Sequence, residues 1–107
     1  MTNSIKNPKV WYELSVVGFD ATQDVCGAFE YMIGEYATKE EALTKAKTIQ
    51  TLEDTLSALV EVGILSSRDL KHIRADRRLA TVSVIIDTVE DYEFTDEEVV
   101  HEFTVRN

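Results

Sequence analysis

Residues 79–89 read Leu-Ala-Thr-Val-Ser-Val-Ile-Ile-Asp-Thr-Val. Ala80, Val82, Val84 and Ile86 occupy alternate positions, with Thr81, Ser83 and Asp87 between them and Ile85 as the one exception. A hydrophobic period of two is the signature of a strand with one buried face. This segment is the strongest strand in the chain, and the rest of the sequence must supply its partners and its cover.

Three further strands are legible. Val10 to Phe19 is rich in β-branched and aromatic residues, with Tyr12, Leu14 and Val16 on one face and Trp11, Glu13, Ser15, Val17 and Phe19 on the other. Ala28 to Tyr36 places Phe29, Tyr31 and Ile33 together, and Gly34 marks a bulge or a close backbone approach. Between these two, Asp20 to Gly27 is turn material, so they form an antiparallel hairpin. Glu98 to Arg106 closes the chain, with Val99, His101, Phe103 and Val105 expected on one face. Glu90 to Glu98 is read as an acidic loop before it.

After Tyr36 the period changes to three and four. Thr38-Lys39-Glu40-Glu41 is a capping box, in which a Thr N-cap and a Glu three residues later satisfy free helix N–H groups. Ala42, Ala46, Ile49, Leu56 and Leu59 follow at helical steps. One long helix over 39–62, ending at Gly63, is preferred; a second cap at Thr51 would split it in two. Ser66 or Ser67 starts a short helix over 68–75 that buries Leu70 and Ile73. The expected architecture is α+β: a mainly antiparallel four-stranded sheet, order β-β-α-(α)-β-β, packed on one long or two shorter helices. Residues 1–9 are a flexible arm and 10–107 a single domain.

A chain of 107 residues buries about two-thirds of its surface on folding, enough for a real core. Its net charge of −9 argues against a general nucleic-acid binder and against an anionic membrane surface. The single cysteine, Cys26, cannot form an internal disulfide, and a cytoplasmic location is expected. The N-terminus lacks the apolar stretch of a signal peptide, and no apolar run is long enough to span a membrane.

Charge is unevenly spread. Residues 68–78 hold Arg68, Lys71, Arg74, Arg77 and Arg78 against Asp69 and Asp76. Residues 87–107 hold eight carboxylates, namely Asp87, Glu90, Asp91, Glu93, Asp96, Glu97, Glu98 and Glu102, against Arg106. Such blocks either form solvated faces or dock partners of opposite sign. Trp11, Phe19, Tyr36, Tyr92 and Phe94 fall at strand ends or in loops, where aromatics anchor interfaces or complete a core. The candidate interaction surface is therefore Trp11, Phe19, Arg68, Lys71, Arg74, Glu90, Asp91, Tyr92, Glu93, Phe94, Asp96, Glu97 and Glu98.

No catalytic, cofactor or metal site is legible. The acidic segment lacks the central glycine of a calcium loop. Cys26, His72 and His101 show neither ligand spacing nor a nucleophile motif. There is no phosphate-binding glycine loop and no hydrolase or metalloprotease signature. The short basic helix after Ser66-Ser67 only loosely suggests a helix-turn-helix. The leading expectation is a non-enzymatic protein-interaction module that self-associates as a homodimer, or that binds a protein with a basic surface. An acidic inhibitor mimicking nucleic acid, and a small-molecule-binding domain with a sheet–helix pocket near Trp11, Tyr12 and Tyr31, are the alternatives.

Overall fold

A computed structural model describes residues 9–20 and 27–105. The expected arm up to Pro8, most of the Asp20–Gly27 turn including Cys26, and Arg106 lie outside the described residues. Four strands form one antiparallel sheet: β1 (Val10–Asp20), β2 (Gly27–Tyr36), β3 (Leu79–Glu90) and β4 (Glu93–Thr104). Three helices, α1 (Lys39–Ala46), α2 (Leu52–Glu61) and α3 (Ser67–Ala75), lie between β2 and β3 in sequence. The strand order is β2-β1-β3-β4, so the first and third strands are central. The class is α+β, as expected, with a third helix that the compact element order only roughly matches.

The helices cover one face of the sheet. Leu14 and Val16 of β1 pair with Ile86 and Val84 of β3, and all four are essentially solvent-free. Ala42, Ala46, Leu56 and Leu59 close over them from α1 and α2. Burial of each large side chain contributes about 1.5–3 kcal/mol. Gly18 belongs to this face for a steric reason: a Cβ there would stand 2.5 Å from the Phe29 ring and 2.8 Å from Leu79.

The single long helix is not what forms. α1 stops at Ala46, and Thr48 turns its hydroxyl back onto the Lys45 carbonyl at 2.6 Å. Ile49 then drops into the core, with no exposed surface, and Thr51 opens α2 by accepting the Asp54 N–H at 3.0 Å. The helical spacing of Ile49 persists across the break, which is why periodicity alone favoured continuity. Gly63 ends α2 as expected. Its φ of +82° lets Gly63 N–H reach the Val60 carbonyl and Ile64 N–H the Leu59 carbonyl, both at 2.9 Å, a Schellman closure. Ser66 and Asp69 form a capping box that starts α3, and the two backbone and side-chain bonds from Ser66 hold the Asp69 carboxyl below its usual range.

Two further expectations are corrected. Glu90 to Glu98 is not a loop: β3 and β4 join through Asp91 and Tyr92 alone, with φ of 52° and 69°. That is a two-residue turn whose twist matches the flanking strands. Nor do the apolar residues of β4 share one face. The register slips between Val84 and Ile85, whose partners are His101 and Val99. The extra residue, Val100, reverses the parity. His101 and Phe103 therefore face the helices, while Val99 faces away. A matching slip in β2 falls at Ile33, beside the glycine expected to mark it.

Candidate functional site

No described helix lies on the second face of the sheet. Strand alternation and register build this face in rows. One row crosses all four strands as Glu35, Glu13, Asp87 and Glu97, since Glu13 pairs with both Glu35 and Asp87, and Asp87 with Glu97. Like charges directly opposite one another destabilise a sheet. Next to this row lie Met32, Ser15, Ile85 and Val99, of which Met32 and Val99 are 43% and 50% exposed. Beyond it come Glu30, Val17, Ser83 and Glu102. Ser83 donates to Glu102 at 2.7 Å.

Asp87 is the focus of the carboxylate row. Partial burial raises its pKa first, and the charges of Glu97, Glu13 and Glu30 raise it further. Glu13 is steadied by the Trp11 indole, which donates to it at 3.0 Å. A cleft of about 520 Å³ opens over this region, lined by Glu30, Asp87, Phe94, Thr95, Asp96 and Glu97. Glu30 lies on one edge strand and Phe94–Glu97 on the other, so the cleft reaches across the sheet.

An aromatic cluster stands at one end of the face. Trp11 pairs with Val89, and Val89 with Phe94. Tyr92 meets Trp11 edge to face at 5.4 Å between centroids. The Tyr92 hydroxyl accepts from Lys9 Nζ at 3.1 Å, and the Lys9 carbonyl accepts the Asp91 N–H at 2.8 Å. Tyr92 and Phe94 are nonetheless 72% and 68% exposed.

The residues singled out from sequence therefore divide. Trp11, Tyr92, Phe94 and Glu97 come together around the open face and its cleft; Asp96 borders the cleft, but its register with Thr88 puts it on the helix side with Glu98. Phe19 lies on the same face at the other end of β1. Asp91 lies in the hairpin turn, and Glu90 and Glu93 flank it. Glu98 lies on the helix side and pairs with Lys39 at 2.5 Å, which raises the Lys39 pKa. Arg68, Lys71 and Arg74 stand apart on α3, where Arg74 forks onto Glu53 of α2 at 2.6 and 2.9 Å. Trp11 points away from Tyr12 and Tyr31, so those three cannot line one pocket, and the sheet–helix layer they were expected to open is filled by buried side chains.

Glu13, Glu30, Glu35 and Asp87 were not singled out, although a signal existed. The four strands contain no lysine or arginine, against two acidic residues in each of β1, β2 and β3 and five in β4. Apart from Lys9 just before β1, the described cations lie in and beside the helices. Among the described residues, no group of three or more His, Cys, Asp or Glu is placed to hold a metal ion. No described helix is long and apolar enough to cross a membrane. The chain matches no family model, no curated protein and no solved structure at a significant level.

Proposed function

We propose that this chain is a protein-interaction module whose open sheet face docks a cationic protein. One observation carries the reading: four carboxylates aligned across four strands that hold no lysine or arginine, beside a row of apolar side chains. A fold gains nothing by stacking like charges on neighbouring strands. A partner bearing basic and apolar groups would neutralise the row and cover Met32 and Val99 together. Such a field also accelerates encounter with a cationic surface. The basic groove of a nucleic-acid-binding protein is one surface of that kind, which keeps nucleic-acid mimicry within this reading.

Self-association through the same face fits less well, because two copies face to face would oppose carboxylate rows. A head-to-tail contact, with the acidic face of one copy on Arg68 and Lys71 of another, is favoured by the separation of the two charges. It would leave one face free at each end of the assembly unless it closed into a ring.

The test is position-specific photo-crosslinking in the cells that make the protein. A probe at Val99 reports on the open face and a probe at Val60 on the helical layer; both side chains are well exposed. Adducts from Val99 that vanish at high salt and join to a lysine- or arginine-rich segment support the docking role. Adducts to a second copy of the chain support the head-to-tail contact. Adducts confined to Val60, or insensitive to salt, overturn the role.

A further inference from the structure

We propose that the outer side of the α2–α3 pair holds a second copy of this chain in a two-fold dimer. The inference is independent of the docking role and uses the opposite side of the molecule. Arg74, near the end of α3, forks onto Glu53, near the start of α2, so the two helices run antiparallel side by side. A groove of about 330 Å³ lies between them, lined by the apolar side chains of Leu56, Val60 and Leu70. Val60, Val62 and Ile64 are 43%, 44% and 37% exposed, so apolar surface continues from the groove past the end of α2. Glu53, Ser57, Val60 and Glu61 recur at helical spacing along α2, and all four are exposed.

Charge selects a second copy as the occupant. α2 carries Glu53, Asp54 and Glu61 and no cation. α3 carries Arg68, Lys71 and Arg74, and its one acid, Asp69, is bound into the Ser66 cap. A two-fold axis along the groove lays α2 of each copy over α3 of the other. The Arg74–Glu53 fork sets the levels: Glu53 comes over the end of the opposite α3, and Glu61 over its start, where Arg68 stands. A two-fold axis across the helices would instead stack α2 on α2 and α3 on α3, opposing acid to acid and base to base. The charges therefore specify one arrangement, an antiparallel four-helix layer with the apolar groove on its axis. Ion pairs at such an exposed rim fix register more than they add affinity, which comes from covering Val60 and Leu70. Helices of ten and nine residues offer less than a standard interface, so the dimer is a weak one. Since the helices cover only one side of the sheet, both acidic faces point outward, and the dimer presents two docking surfaces. The contact takes up Arg68 and Lys71, and so excludes the head-to-tail arrangement through the same residues.

The test is sedimentation equilibrium of the full chain from micromolar to millimolar concentration, where a concentration-dependent dimer is expected. Val60→Asp puts a carboxylate into the apolar centre from a side chain already exposed, and should weaken the dimer at least about tenfold. Glu61→Arg and Arg68→Glu each oppose like charges twice in the dimer, and should each weaken it by about tenfold. Mixed in equal amounts, these two variants should recover the dimer, because each then faces the opposite charge in its partner. A melting curve on each variant separates lost association from lost fold. A chain that stays monomeric at millimolar concentration, a dimer untouched by Val60→Asp, or a mixture no better than either variant alone would overturn the two-fold contact. Loss with Arg68→Glu but not with Glu61→Arg would also overturn it, in favour of the head-to-tail contact. The docking role stands or falls separately, on the salt-sensitive crosslinks from Val99.

Discussion

Asp87 on β3 is the register partner of Glu97 on β4, so two carboxylates meet across a strand pair whose strands contain no lysine or arginine. Burial and the surrounding charges hold the Asp87 carboxyl above its ordinary range. The fold keeps this arrangement although an asparagine or threonine would sit there more comfortably. Local rules broken in this way concentrate at functional surfaces.

The pair gives a pH signature. Between the ordinary aspartate range, near pH 4, and the raised value, the folded chain holds a proton that the unfolded chain has released. Asp87 therefore makes stability fall as pH rises through that window. Asp87→Asn should raise the melting temperature at neutral pH, by an amount corresponding to about 0.2–1 kcal/mol. The advantage should shrink as pH drops below about 4, where the carboxyl is protonated in both states. Melting curves of both proteins from pH 3 to 8 measure the difference, and a variant less stable at neutral pH would contradict it.

Gly18 has no room for a methyl group. Gly18→Ala would drive a Cβ into the Phe29 ring and Leu79. The expected loss is about 1–3 kcal/mol, as for other overpacked cores. Gly63→Ala tests a different mechanism, since its Cβ would meet nothing within 4 Å and only its φ of +82° is at issue. That cost is about 1–2 kcal/mol from the left-handed backbone alone. Urea unfolding of the two variants, with Phe29→Leu added to each, distinguishes them: the smaller side chain should rescue Gly18→Ala and not Gly63→Ala.

Tyr92 holds a left-handed conformation that tyrosine rarely adopts, at φ 69°. Its ring contact with Trp11 and its bond from Lys9 hold it there. Tyr92→Ala loses those contacts and keeps the backbone strain. Tyr92→Gly loses the contacts and relieves the strain, and should be the more stable of the two by about 1 kcal/mol. Denaturation followed by the fluorescence of Trp11, the single tryptophan, ranks them.

The break between α1 and α2 has two supports of different strength. Thr51→Ala removes one cap, at a cost of about 1 kcal/mol. Ile49→Ala empties a fully buried position beneath the break and should cost about 2–5 kcal/mol. If the cap variant proved as damaging as the core variant, the cap would be holding more than its own helix end.

The sequence carried a good part of the fold because its signals are local. Alternation at Leu79–Val89 marked β3, the Thr38–Glu41 box marked the start of α1, and Gly63 marked the end of α2. Thr51 was visible as a competing cap, but Ile49 fits helical spacing and core burial equally well, so the break was settled by packing. The site was less legible. Trp11, Phe94 and Glu97 could be suspected as aromatic and acidic surface residues. Arg68 and Lys71 had the same standing, yet they lie on another element.

By itself, the sequence determined that four segments alternate as strands, that α1 starts at the Thr38 box and α2 ends at Gly63, and that the strands carry acids without cations. Tertiary structure alone decided that Glu35, Glu13, Asp87 and Glu97 form one row. Strand order and register are set by pairing between distant segments, and one inserted residue reverses every side chain beyond it. The slip at Val100 keeps Glu97 and Val99 on the open face while His101 turns to the helices, where its Nε2 lies 2.6 Å from the Ile49 carbonyl oxygen. Such a slip costs little locally and leaves no periodic trace in the chain. Its effect exists only once β3 and β4 are paired.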